Sequence, residues 1–474
     1  MFHTLIAKQG AQPLKTVMVV ADQPYPYGLM VGQIAQCAAW LRTLDLRPKS
    51  RALLHIAHPY AHWLLTFALE QVGVTSCAVS SPEAVQASVI ALDAQTLFTS
   101  PGVRATPPCS THVIDQAWFD RLADFSPEAG PPPPRSPDDI LRIFVTSGTT
   151  GAPKKIPLTR AVVETRMRNA QKGGYYSRPD LSMSATFAMS TVSGWINGLY
   201  CFNEGGQLVS GRPWRHMLEA GQINLLRLAP ANLQALLTDL PADFTPPEDL
   251  RLSVIGGSLS PGLAERASQL LTSDILVNYG ATETGTVAMG MLKDLDRPDA
   301  AGFICPWARI EAVDAKGLPV PVDEVGEIRI RSDNLCAGYL DDPAATAAMF
   351  RDGWFWPGDL GRISKDGRLV IVGRNNDLMN IGGVKVLATA IEAVALTVPG
   401  VTDVAAFPGP GEDGLTTPHI AYVADETLDP QALTSRLTQA IGRAPVLIEV
   451  AEIPRNGMGK IQRDLLAGLG FAAR

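Results

Sequence analysis

Leu141-Arg142-Ile143-Phe144-Val145 runs directly into Thr146-Ser147-Gly148-Thr149-Thr150-Gly151-Ala152-Pro153-Lys154-Lys155. A short apolar run that stops at hydroxyls and glycines reads as a buried strand feeding a turn. Gly148 and Gly151 permit tight turning and close approach of the backbone to a ligand. Successive N–H groups, the hydroxyls of Thr146, Ser147, Thr149 and Thr150, and the cations of Lys154 and Lys155 then form a concave, positively charged cradle for phosphate. It is not a Walker loop, because the G-x-x-x-x-G-K-[ST] spacing is absent.

The same rhythm recurs on either side. Leu53–Ile56, Leu252–Ile255 and Ile275–Val277 are short apolar runs that end in glycine or small polar residues and are followed by helical patterns. Strands alternating with helices imply an α/β fold of mainly parallel sheets covered on both faces. Pro131–Pro134, flanked by Gly130 and Ser136-Pro137, reads as a stiff surface connection leading to the Leu141–Val145 strand. After Gly317 the texture changes to short alternating strands, such as Gly326-Glu327-Ile328-Arg329-Ile330-Arg331 and Arg368–Val372. Beyond Gly373-Arg374 remains a stretch of about 100 residues, the size of one small domain. The main boundary is therefore expected after 1–373.

A chain of 474 residues exceeds one ordinary core, so two or three domains are expected. No apolar run approaches the roughly 20 residues that span a bilayer. Met1-Phe2-His3-Thr4 opens a mixed segment without the order of a signal peptide, so a soluble, cytoplasmic protein is expected. The formal charge of -7 and the lack of a basic stripe argue against nucleic acid as partner. Cys37, Cys77, Cys109, Cys201, Cys305 and Cys336 are scattered with no C-x-x-C pair, which suits free thiols in a reducing compartment. His55, His58 and His62 are spaced like metal ligands, but Pro59 interrupts them. Trp63–Leu69 continues as an ordinary buried helix.

The loop at 146–151 resembles the phosphate-binding signature of the adenylate-forming superfamily of acyl-CoA synthetases, peptide-synthetase adenylation domains and firefly luciferase. Four further stretches match in the family's order and span nearly the whole chain. They are Ile255-Gly256-Gly257-Ser258-Leu259-Ser260-Pro261 and Asn278-Tyr279-Gly280-Ala281-Thr282-Glu283-Thr284-Gly285. The third runs from Gly338-Tyr339 through Pro343 and Thr346 to Gly353–Gly361. The fourth joins Gly373-Arg374-Asn375-Asn376-Asp377 to Pro454-Arg455-Asn456-Gly457-Met458-Gly459-Lys460-Ile461. The third is especially similar to acyl-CoA synthetases. The resemblance implies a large N-terminal domain of parallel sheets flanked by helices with a small β-barrel-like part. A small α+β domain, 377–474, follows on a hinge at 374–376.

It also implies roles. Gly256 and Gly257 lie against adenine, Tyr279 stacks on the base, and Ser258, Asn278 and Gly280 belong to the same ATP/AMP-binding set. Thr282 contacts the α-phosphate, and Glu283 with Thr146 binds Mg²⁺, a hard carboxylate suiting a cation shared with phosphates. Asp359 grips the ribose hydroxyls with two acceptor oxygens, and Arg374 holds ribose or phosphate. Asn376 stands at the hinge, where aspartate or lysine is usual, and Pro357 replaces a usual threonine. Lys460 is the lysine that enters the cleft during adenylation, bridging carboxylate and α-phosphate by orientation and electrostatics.

The acid is expected near 184–195 and Gly280, with Met189, Thr191, Val192 and Trp195 suggesting an apolar or aryl acid. Thr191 stands where the family often has histidine. No aspartate in this segment is available for an α-ammonium group. The expected reaction consumes ATP with Mg²⁺, forms an acyl-AMP and transfers the acyl group to a thiol. CoA is the first acceptor considered and a carrier-protein phosphopantetheine the second. An adenylate-binding protein without turnover, or a luciferase-like oxygenase, is the remaining alternative.

Overall fold

The computed structural model describes residues 12–127, 136–146, 153–174, 176–178, 180–295, 300–381, 384–411, 416–455, 461–463 and 465–466. The proline-rich connection expected at 131–134 lies outside them. Two large sheets organise the first 374 residues. The smaller has six strands in the spatial order Ser110–Val113, Thr96–Thr99, Arg51–His55, Thr75–Ala78, Ile140–Thr146 and Lys154–Thr159. All its pairings are parallel except the last, where Ile140–Thr146 folds back on Lys154–Thr159. The apolar runs beginning at Leu53 and Leu141 form strands here, because residues buried on both faces need no alternation.

The larger sheet has fifteen strands. Its parallel part contains Thr16–Val20, Gln207–Ser210, Ser182–Ala185, Leu225–Leu228, Arg251–Ile255 and Ile275–Ala281. From Ile275–Ala281 onward the pairing turns antiparallel, through Gly285–Met291, Ala300–Ile304, Arg368–Arg374 and Asp359–Ile363 to Gly326–Ser332. These antiparallel strands enclose their own core of Val287, Ile310, Ile328, Ile330, Phe355 and Leu369. The expected barrel-like part is thus continuous, by backbone hydrogen bonds, with the parallel sheet.

The Pro59–Val72 helix is buried along nearly its whole length, and the largest apolar cluster joins it to residues of both sheets and to the Tyr27–Arg42 helix. His58 caps that helix, accepting from Ala61 N at 3.4 Å, and His62 is sealed within it. No described helix is long and apolar enough to cross a membrane. Residues 378–449 form a hairpin, a three-stranded sheet and the helices Ala388–Ala395 and Pro430–Ile441, packed around Met379, Ile391, Val404, Ile420, Leu433 and Leu437.

Candidate active site

The strands Arg251–Ile255 and Ile275–Ala281 run parallel and end side by side, with Ile255 opposite Asn278. Beyond them the chain turns at Gly256, whose φ of +95° favours glycine, and at the hairpin Ala281–Gly285. Thr284 tightens that hairpin: its hydroxyl accepts from Ala281 N at 2.9 Å and donates to Gly285 O at 2.8 Å. Gly280 is required by the hairpin itself, since a Cβ there would stand 2.0 Å from the Gly285 carbonyl oxygen.

Three residues expected at the nucleotide meet at this edge. Tyr279 Oη donates to Asp359 Oδ2 at 2.6 Å, and Arg374 Nε pairs with Asp359 Oδ1 at 3.0 Å. Asp359 and Arg374 are cross-strand neighbours, so sheet register brings together residues fifteen apart in sequence. Burial and the Asp359 carboxylate hold the Tyr279 phenol well above its ordinary pKa, so it remains a donor.

A second group converges on the 282–283 turn. Tyr339 Oη donates to Glu283 Oε1 at 2.8 Å, and Lys154 Nζ lies 4.8 Å from the centre of the Tyr339 ring. Lys154 pairs in register with Thr146, so the ends of the phosphate-cradle hairpin reach the Glu283 carboxylate through one tyrosine. Beneath the turn, the fully buried Arg166 donates to Thr282 O at 3.0 Å, Glu283 O at 2.8 Å and Asn334 O at 3.0 Å. Burial lowers its pKa from the usual arginine value. Arg166 was not singled out in the sequence. The signal was the Arg160–Gly173 helix, where Val163, Arg166 and Met167 share one buried face, a cation placed within an apolar stripe.

The residues present fit a nucleotide. Asn278 Nδ2 donates to Ser253 Oγ at 3.0 Å, but its buried Oδ1 has no hydrogen-bond partner among the described residues. A Cβ on Gly257 would meet nothing closer than Pro230 Cγ at 3.4 Å, so no protein neighbour demands glycine there and the exposed backbone stays open to a flat base. Ser258 is exposed. The cradle residues Ser147, Gly148, Thr149, Thr150 and Gly151 lie outside the described residues, as do Lys460 and the side chain of Asn376. The chain flanking Lys460 is fixed by a bridge between Arg455 and Ile461, and Arg455 pairs with Asp403 at 2.7 Å.

Of the residues expected at the acyl site, Trp195 and Thr191 carry contacts within the protein itself. Trp195 is fully buried and faces the core between the sheets, 5.6 Å from the Phe144 ring and from the Arg142 guanidinium carbon. The Thr191 side chain is committed to capping the Val192–Asn203 helix, accepting from Gly194 N at 3.1 Å and donating to Ala188 O at 2.8 Å. Met189 and Val192 are half-buried against the main core.

A family model described as AMP-binding enzyme matches residues 6–340, over half of the chain. The chain belongs to the AMP-binding enzymes. Among the relatives of this AMP-binding enzyme is the 3-hydroxybenzoate–CoA ligase of Aromatoleum sp. (strain CIB). It is 29% identical over 367 residues, 72% of this chain and 68% of the relative. The fatty acid–[acyl-carrier-protein] ligase MmaC of Mycobacterium marinum is 28% identical over 366 residues, 70% of this chain and 68% of the relative. Among solved structures, ATP-bound MatB from Rhodopseudomonas palustris superposes with a TM-score of 0.87 at 21% identity, covering 98% of each chain. That likeness extends the shared fold, a large N-terminal and a small C-terminal domain, over the part of this AMP-binding enzyme beyond residue 340.

Proposed function

We propose that this AMP-forming acid–thiol ligase activates an aryl carboxylic acid as an acyl-adenylate, releasing pyrophosphate, and passes the acyl group to the thiol of CoA. The observation that carries the reading is the convergence of Tyr279, Asp359 and Arg374 on one side of the 280–284 turn with Lys154, Tyr339 and Glu283 on the other. Asp359 and Arg374 provide an acceptor pair and a cation for ribose, and Tyr279 a flat face for adenine. Glu283 and Thr146 would hold Mg²⁺, which supplies charge neutralisation to the phosphates.

The difficulty of the reaction is that two anions must meet. Lys154, Lys155 and the cradle amides offset the phosphate charge, and Lys460 would bridge the attacking carboxylate and the α-phosphate. Arg166 holds the Thr282 and Glu283 backbone by two hydrogen bonds, which favours a preorganised turn. In this reading 1–373 bind nucleotide and acid, 374–376 form a hinge, and 377–474 carry Lys460 in and out of the cleft. The six free cysteines fit a reducing compartment such as the cytoplasm.

The aryl preference rests on relatives named for hydroxybenzoate and indoleacetate. A carrier-protein thiol is the second acceptor, because MmaC is named for one. Pyrophosphate release against aliphatic, aryl and amino acids, with CoA, a carrier protein or neither, tests both. Acid-dependent release accelerated by CoA is expected. Release accelerated only by a carrier protein would move the acceptor. No release with any acid, despite ATP binding, would refute the ligase reading.

A further inference from the structure

Arg227 is buried on the central strand Leu225–Leu228, and nothing in the adenylation scheme uses it. Its guanidinium donates to Tyr176 Oη and stacks on that ring, 5.3 Å from the centroid. No carboxylate pairs with it among the described residues, its Nε has no partner, and burial pulls its pKa down to about 9. A buried, unpaired cation is costly enough that a fold without use for it would favour an apolar residue of the same volume.

The surroundings of Arg227 contain further unmet polar atoms. Arg227 lies in register with Ser253, so the two side chains share one face of the sheet, and Ser253 accepts from the Asn278 amide. Leu225, two residues earlier on that face, packs with Met183 and with Cys201 of the Val192–Asn203 helix. That helix starts against the end of strand Ser182–Ala185, where Gly194 abuts Ala188 O so closely that a Cβ would stand 2.1 Å away. Asn197 is one turn from Cys201 and three residues from Gly194, on the same side of the helix. That side of the helix carries Cys201, which clusters with Leu225 and with Tyr176, the partner of Arg227. Asn197 is fully buried, and neither its Oδ1 nor its Nδ2 has a partner among the described residues.

We propose that Arg227 and Asn197 form the far end of the acid site and bind a second carboxylate of the substrate, opposite the one that is adenylated. The enzyme would then be selective for dicarboxylic acids, aryl or short aliphatic. A second carboxylate neutralises Arg227 and accepts from Asn197 Nδ2, and it enters a place that monocarboxylic acids leave with an unmatched cation. A site built around polar contacts discriminates against analogues that lack the group far more strongly than an apolar pocket does. This inference rests on the ligase reading above.

The test uses the full-length protein and size-matched acid pairs: benzene-1,3-dicarboxylate against 3-methylbenzoate and 3-hydroxybenzoate, and glutarate against pentanoate. Wild type should favour the dicarboxylate of at least one pair by roughly 100-fold in kcat/KM. Arg227→Met should erase that preference while monocarboxylate turnover falls little, and Arg227→Lys should restore part of it. Asn197→Leu, which preserves volume, should weaken it in the same direction and covers the case in which Arg227→Met does not fold. Equal loss for every acid would mark a structural role and overturn the proposal. So would a wild-type preference for the hydroxy or methyl acid. If no acid releases pyrophosphate, calorimetric titration of the same dicarboxylates still decides: binding abolished by Arg227→Met supports the site, and unchanged or absent binding refutes it.

Discussion

Tyr339→Phe removes one oxygen and little else. The ring would still lie under Lys154 Nζ at 4.8 Å and meet Phe350 edge-on at 5.5 Å, and the backbone amide would still donate to Thr346 Oγ1 at 2.9 Å. What disappears is the hydrogen bond to Glu283 Oε1. Hydrogen bonds to charged groups contribute about 1.5–3 kcal/mol net, and water can replace part of this one because Glu283 is only half-buried. The lower value, about 1.5 kcal/mol, corresponds to roughly a tenfold loss. Acid-dependent ATP–pyrophosphate exchange should fall by that factor, and the magnesium dependence should shift to higher concentration. Burial and Glu283 hold the Tyr339 phenol above its ordinary pKa, so it donates throughout neutral pH and the loss should be flat from about pH 6 to 9. A change below about twofold, or a loss explained by a lowered melting temperature, would refute the idea that Tyr339 orients the Glu283 carboxylate.

Lys460→Ala should lower acid-dependent pyrophosphate exchange by about 100-fold or more while leaving ATP affinity nearly unchanged, as read by equilibrium binding. Gly280→Ala forces a Cβ against backbone that no rotamer change can clear. It should lower stability in urea by about 3 kcal/mol, and an unchanged midpoint would contradict the hairpin geometry. His62 is held neutral by burial and by Arg142, its pKa lowered from 6.5 to about 3. The unfolded chain therefore takes up a proton that the native one refuses. Stability is fully present above about pH 6.5 and lost toward pH 3, by up to about 1.4 kcal/mol per pH unit. His62→Gln should flatten that slope in pH-dependent melting.

The strands were legible because runs such as Leu252–Ile255 are apolar without alternation, a pattern that only burial on both faces allows. The joining of fifteen strands into one sheet was not, because pairing between Ala300–Ile304 and Arg368–Arg374 depends on contacts some seventy residues apart. Tyr279, Asp359 and Arg374 carried no shared signal in spacing, and only family resemblance grouped them before register did. Trp195 is fully buried, and residue type alone does not separate an aromatic of the core from one that lines a pocket. Arg166 escaped notice because a charged residue on a helix reads as surface until its neighbours on the stripe are considered together.

All six cysteines are buried, and burial raises their thiol pKa values. An enzyme that hands acyl groups to thiols thus presents no thiolate of its own to steal the acyl group or to be trapped as a mixed disulfide with oxidised CoA. The same reticence makes the molecule convenient. A single cysteine introduced on the surface would be the one reactive site for a fluorophore, and a pair of them would test in real time the swing proposed for residues 377–474.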